Sequence, residues 1–122
     1  MSKFVIRAVS SGVKFDLRAA NGQVIATSEV YDTGDACLRG IESVRKNAPI
    51  ASVEDHTGEK FRKVTNPKFE MYEDRSGAYR FRLKARNGKI IAVSEGYTSK
   101  AACRSGIESV QKNAAEAEIE EA

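Results

Sequence analysis

The second half of this chain repeats the first, and that duplication constrains its fold more than any other feature. Lys3-Phe4 returns as Lys68-Phe69 and Ser11-Gly12 as Ser76-Gly77; one residue is then inserted, and from Phe15 onward the offset holds at 66. Between positions 15–48 and 81–114, 20 of 34 residues are identical. The identical set includes Asn-Gly (21–22, 87–88), Ser-Glu-x-Tyr (28–31, 94–97), Ala-Cys (36–37, 102–103) and Gly-Ile-Glu-Ser-Val-x-Lys-Asn-Ala (40–48, 106–114). A unit of roughly 55 residues folding alone would bury only about 60% of its chain surface. Two copies sharing one core are therefore expected, as one compact domain over 1–122 with copies at 3–54 and 68–121 joined by a polar linker at 55–67.

Each copy has a readable local pattern. Phe69-Glu70-Met71-Tyr72 alternates as a first strand, and Tyr79-Arg80-Phe81-Arg82-Leu83-Lys84-Ala85 alternates as a second. Asn87-Gly88 precedes a third run, Ile90-Ile91-Ala92-Val93, and predicts a two-residue type I′ hairpin. That register sets Arg86 opposite Lys89, Lys84 opposite Ile91 and Arg82 opposite Val93. It groups Phe81, Leu83, Ala85, Ile90, Ala92 and Ser94 on an inner face. The first copy repeats it, with Asp16 opposite Thr27 and Arg18 opposite Ile25. A helix follows in each copy, capped by Thr33 or Ser99, with Cys37, Gly40, Ile41 and Val44, or Cys103, Gly106, Ile107 and Val110, at helical spacing. Gly40 and Gly106 each cost about 1 kcal/mol of helix propensity relative to Ala, so close approach of the helix backbone to the sheet is expected there. After each helix, Ala51–Asp55 and Ala117–Glu121 correspond and read as a short fourth strand. The pattern predicts an α+β fold of tandem β-β-β-α-β repeats, with a single antiparallel sheet and two helices on one face.

The linked motifs Lys68-Phe-Glu-Met-Tyr-Glu-Asp, Gly77-x-Tyr-Arg-Phe-Arg-Leu-Lys-Ala, Asn87-Gly-x-Ile-Ile-Ala-x-Ser-Glu-x-Tyr, Ala102-Cys and Gly106-Ile-Glu-Ser-Val resemble the YegP-like family of small bacterial proteins, a domain of unknown function. The resemblance spans nearly the whole chain. The first copy departs from it at Val5-Ile6-Arg7-Ala8 and Val13-Lys14. The resemblance implies that the two copies join their strands into one sheet and exchange their last strands. It brings no catalytic residues.

Composition narrows function only a little. The net charge is +3 and neither half is strongly basic, so no global pull toward nucleic acid is expected. No apolar run approaches the roughly 20 residues of a membrane span. The first residues lack the h-region of a signal peptide, and the expected location is the cytoplasm. Two cysteines and one histidine, without a C-x-x-C, are too few for a zinc site. No catalytic, cofactor-binding or metal residue is nominated, and no cofactor is expected. Cys37 and Cys103 read as small buried hydrophobes, and His56 as a solvated linker residue. Ser-Glu-x-Tyr reads as a fold requirement, with a small pocket made twice as the minor alternative.

The predicted outer face carries the one charged constellation: Arg80, Arg82, Lys84, Arg86 and Lys89, with Tyr72 beside them. Basic residues around an aromatic on an open sheet suit single-stranded nucleic acid or another polyanion, although an alternating charged strand is ordinarily a solvated face. The leading expectation is a non-enzymatic binding or interaction module, monomeric with pseudo-twofold symmetry. Polyanion binding through strand 79–86 is the alternative. A small enzyme using Glu29/Glu95, Tyr31/Tyr97 or Cys37/Cys103, and protein interaction by strand exchange or sheet-edge addition, complete the readings.

Overall fold

The computed structural model describes residues 1–122. The first copy contributes β1 (Lys3–Val9), β2 (Gly12–Arg18), β3 (Val24–Thr27), α1 (Gly34–Asn47), a 3-10 turn (Ala48–Ile50) and β4 (Ser52–Asp55). The second contributes β5 (Lys68–Glu73), β6 (Tyr79–Lys84), β7 (Ile90–Val93), α2 (Lys100–Asn113) and β8 (Glu118–Glu121). All eight strands form one sheet in the order β4-β5-β6-β7-β3-β2-β1-β8. The copies meet at its centre, where Thr27 on β3 faces Val93 on β7 in an antiparallel pair. These are equivalent positions, so the pseudo-twofold axis passes between them.

The last strands are exchanged: β4 lies beside β5 of the other copy, and β8 beside β1. Both of these outer pairs are parallel, which corrects the expectation of a purely antiparallel sheet. The six inner strands are linked by hairpins or by the central seam and alternate in direction. Each outer strand arrives through a helical crossover, which frees it to run parallel to its neighbour. Equivalent side chains of the two helices help hold the exchange. Arg45 of α1 donates to the Ala117 carbonyl at 2.5 Å, and Gln111, its equivalent on α2, donates to the Ala51 carbonyl at 3.1 Å.

Thr33 and Ser99 cap the helices, each accepting the N–H of Ala36 or Ala102. The buried helical face packs on Phe4, Phe15, Leu17, Phe69, Phe81 and Leu83, and residues of both copies form one continuous core. A Cβ at Gly40 would lie 2.3 Å from Tyr31 Oη, and one at Gly106 2.3 Å from Tyr97 Oη. The close approach expected of these glycines is thus made by the tyrosine at the end of each third strand, whose ring also stacks on Phe15 or Phe81.

The hairpins differ from the expected type. Ala85 donates to the Lys89 carbonyl and accepts from the Gly88 N–H, and Ala19 does the same with Gln23 and Gly22. Only glycines have positive φ, at 85° for both Gly22 and Gly88. This is a type I turn closed by a glycine bulge, which asks nothing unusual of Asn21 or Asn87. The three-residue loop sets Lys84 opposite Ile90 rather than Ile91, and a bulge then restores Leu83 opposite Ala92 and Arg82 opposite Val93. Ile91 absorbs the extra residue. Ile90, expected inside, is 41% exposed, while Ile91 is buried at 7%. In the first copy the same loop sets Arg18 opposite Val24 instead of Ile25.

Candidate functional site

The charged outer face of β4, β5 and β6 follows from strand alternation. Phe69 and Met71 turn to the helices, so Lys68, Glu70 and Tyr72 turn away from them. On β6, Phe81 and Leu83 face the core, which leaves Arg80, Arg82 and Lys84 outside. Glu54 and His56 complete the outer row, since Glu54 is the register neighbour of Glu70.

Two buried carboxylates organise this face. Glu54 accepts from Lys68 Nζ at 2.8 Å and from the Val64 N–H at 2.9 Å on one oxygen. Its other oxygen lies 2.5 Å from His56 Nε2; an ionised carboxylate only accepts, so the imidazole donates there. Burial by itself raises the Glu54 carboxyl, but the bonds from Lys68, Val64 and His56 outweigh it and hold the group at about 2. Glu70 accepts from Arg82 Nε at 2.6 Å and has Lys84 Nζ at 3.3 Å on the same oxygen. Burial opposes its ionisation too, and the Arg82 and Lys84 contacts still leave it below the usual carboxylate range. Lys68 and His56 stand 3.7 Å and 3.9 Å from its second oxygen. The connecting segment folds over this network: Phe61 stacks on the His56 ring at 3.9 Å, and Val64 is tied to Glu54.

His56 is therefore part of the charged network, which corrects its reading as a solvated linker residue. The legible signal was parity: Glu54 and His56 are two apart on an extended run and share a face. Glu54, His56 and Glu70 bring ligand atoms within 4.8 Å of one another, a spacing a metal ion accepts. The donor set does not suit one. Lys68, Arg82 and Lys84 already occupy the carboxylate oxygens, and three cations beside the centre repel a fourth.

The nominated residues divide into two groups. Arg80 pairs with Asp74 at 2.6 Å, Arg82 and Lys84 pair with Glu70, and the Arg82 guanidinium lies 4.8 Å over the Tyr72 ring. Arg86 and Lys89 stand exposed at the hairpin tip. The carboxylates lie beneath the cations. Glu70 is 6% exposed at its side chain, against 34% for Arg82 and 26% for Lys84. Over Glu70 the groups nearest solvent are therefore cations, bordered by the exposed Glu29 beside Lys84 and Lys89.

The other chemically capable groups serve the fold. Ser28 and Ser94 accept the N–H of Phe15 and Phe81 and donate to the carbonyls of Glu29 and Glu95. Tyr31 and Tyr97 pack against the helix glycines, and burial raises both phenols. Burial also raises Cys37, and pushes Cys103 up to about 11, far from the reactive thiolate range. No helix is long and apolar enough to cross a membrane.

An eight-stranded sheet made from two strand-exchanged β-β-β-α-β copies, helices on one face and paired charges on the other, defines a tandem-repeat α+β protein. The sequence profile described as Domain of unknown function (DUF1508) matches residues 9–55 and 74–121, once in each copy, and the chain belongs to that family. It is 36% identical over 117 residues to a UPF0339 protein of Pseudomonas aeruginosa, covering 95% of this chain and 93% of that one. It is also 63% identical over 54 residues to a UPF0339 protein of Treponema denticola, covering 44% of this chain and 93% of that one, a relative about one copy long. The solution NMR structure of the E. coli protein of unknown function YegP superimposes with a TM-score of 0.77 at 30% identity, covering 98% of this chain and 91% of that one.

Proposed function

We propose that this chain is a binding module rather than an enzyme, and that it takes a polyanion on the open sheet face along β6. One observation carries the reading: the cations of β5 and β6 overlie buried carboxylates that fix their positions. Lys68, Arg82 and Lys84 outnumber Glu54 and Glu70, and each pair is arranged with its positive member toward solvent. Such a surface is positioned in advance, so an incoming phosphate meets guanidinium and ammonium groups whose ordering cost has been met in folding. Tyr72 offers a ring covered on one side by Arg82, and Arg86 and Lys89 extend the positive face to the hairpin tip. Single-stranded RNA or DNA, with a phosphate and a stackable base in each unit, matches this combination. The reading places the protein in the cytoplasm as a monomer, because two copies in one chain supply what two subunits otherwise would.

Titration of the 15N-labelled chain with single-stranded RNA and DNA at low ionic strength tests this. The expected result is amide shifts along residues 79–89 that fade as salt is added, and that weaken in a variant carrying Arg86→Glu and Lys89→Glu. Unmoved resonances on β6 with both nucleic acids and with inorganic polyphosphate overturn the polyanion reading. Turnover of a metabolite, lost on substitution of an outer-face residue, overturns the non-enzymatic one.

A further inference from the structure

We infer that the free edge of β4 is a docking site for an extended acidic peptide segment of a partner protein, added to the sheet as one more strand. This surface is separate from the open face along β6. His56 donates its N–H to the Met71 carbonyl at 2.7 Å, so His56 and, by the alternation of a parallel ladder, Glu54 and Ser52 turn their main-chain groups toward β5. Val53 and Asp55 therefore turn theirs outward, and neither has a main-chain partner on that side. An unpaired strand edge is a template for another chain.

The edge opens into a groove of about 450 Å³ between β4, the connecting segment and the start of α2. Val53, Asp55, Lys60, Phe61, Arg62 and Lys100 line it. Lys100 and Arg104 converge on Asp55 at 2.7 and 3.7 Å, so that carboxylate is already neutralised. Lys60 and Arg62 are exposed and make no ion pair; Glu59 is the other carboxylate on the segment. The groove therefore carries a surplus of positive charge beside a row of unpaired N–H and C=O groups. An extended segment laid along the edge brings acidic side chains within reach of Lys60, Arg62 and Lys100 and apolar ones within reach of Val53 and the partly exposed Phe61 ring. A nucleic acid meets the charge but has no main-chain ladder to offer, so the combination selects peptide. The opposite edge differs in charge: β8 is Glu118-Ile119-Glu120-Glu121, wholly exposed, and repels an acidic strand.

The probe is a peptide of sequence Glu-Ala-Glu-Ile-Glu-Glu-Ala, blocked at both ends, which is acidic and contains the β8 sequence of this fold. Added to the full 15N-labelled chain at low salt, it is expected to shift the Val53 and Asp55 amides and to slow their hydrogen exchange. Lys60→Glu combined with Arg62→Glu is expected to weaken binding by about tenfold or more. The same peptide N-methylated at alternate residues keeps its charge, loses the ladder, and is expected not to bind. The Arg86→Glu, Lys89→Glu variant is expected to bind the peptide unchanged, so a failure of the open-face reading shows separately. Equal binding of the N-methylated peptide, equal protection of the same amides by a short oligothymidylate, or shifts absent from β4 overturns the proposal. Peptide-free association of the chain with itself through this edge, seen in sedimentation at rising concentration, also overturns it.

Discussion

The two ends of the sheet are built to one plan and carry different chemistry. At the β5 end, Glu54 and Glu70 are buried beneath Lys68, Arg82, Lys84 and His56, and the chain continues over them as the connecting segment. At the β1 end, Val5 stands in the place of Glu70 and Asp16 in the place of Arg82. The anion there is Asp16, which accepts from Arg7 at 2.9 Å and from Thr27 at 2.7 Å. Glu120, the equivalent of Glu54, makes only an exposed contact of 3.2 Å with Lys3. The helix-side residues have stayed alike because each is fixed by contacts on every side. The outer face is free of that constraint, and its charges have been rearranged. Differences between the copies therefore point to function more reliably than their likenesses do.

The largest expected effect tests the shared part. Phe15→Ala and Phe81→Ala remove equivalent, fully buried rings from one core and are each expected to cost about 3–5 kcal/mol. Urea denaturation is expected to show one transition in either variant, with similar loss. Two separate transitions, or a loss confined to one copy, break the claim that the halves share a core.

Next in size is the part that differs. Glu54→Gln removes the nearer anion from a Lys68 ammonium whose side chain is only 12% exposed and which keeps just the 3.7 Å contact with Glu70, at an expected cost of about 2 kcal/mol. The sign of its pH dependence follows from the folded state holding Glu54 at about 2, below its ordinary 4.5. A carboxyl depressed on folding stabilises above its unfolded value, and that contribution fades as pH falls from about 4.5 toward 2. Asp55, held at about 2 on the same strand mainly against burial and by Lys100 and Thr57, fades over a similar window. The gap between wild type and Glu54→Gln is therefore expected to close in acid when stability is followed by denaturation at a series of pH values. A gap that persists at pH 2 shows that packing, not ionisation, is what the substitution removes.

What the sequence made legible follows the same division. The duplication, the caps at Thr33 and Ser99, and the inward helical faces were readable because each is a local pattern repeated twice. The hairpin was misread for a physical reason: Asn-Gly favours the type I′ turn, yet a type I turn with Gly88 at positive φ satisfies the same residues, and only the bulge at Ile91 reveals the choice. The parallel outer strands depend on where a helical crossover sets its strand, a tertiary matter. Of the candidate face, Arg82 and Lys84 were placed correctly on the outside. Their contact with Glu70 is a cross-strand pairing of β5 with β6 inside the second copy, but the joining of Glu54 and His56 to it rests on strand exchange bringing β4 beside β5. Residues that lie in different copies have no fixed spacing by which a sequence pattern could join them.

The smallest expected effect is the control that gives the second its meaning. Glu120→Gln removes the residue equivalent to Glu54, but Glu120 is 52% exposed and its partner Lys3 is 47% exposed. A pair so open to solvent is screened by water and salt, and holding two long side chains together costs what the attraction returns, so a change below about 0.5 kcal/mol is expected. Nothing folds over Glu120, and no third group depends on it. Comparable losses for Glu120→Gln and Glu54→Gln, measured in the same denaturant, mean that a glutamate at the end of an exchanged strand matters for the strand alone. A loss at Glu54 only means that the covering segment and the cations of β5 and β6 make the difference. That asymmetry is what the proposals for the open face and for the β4 edge both require.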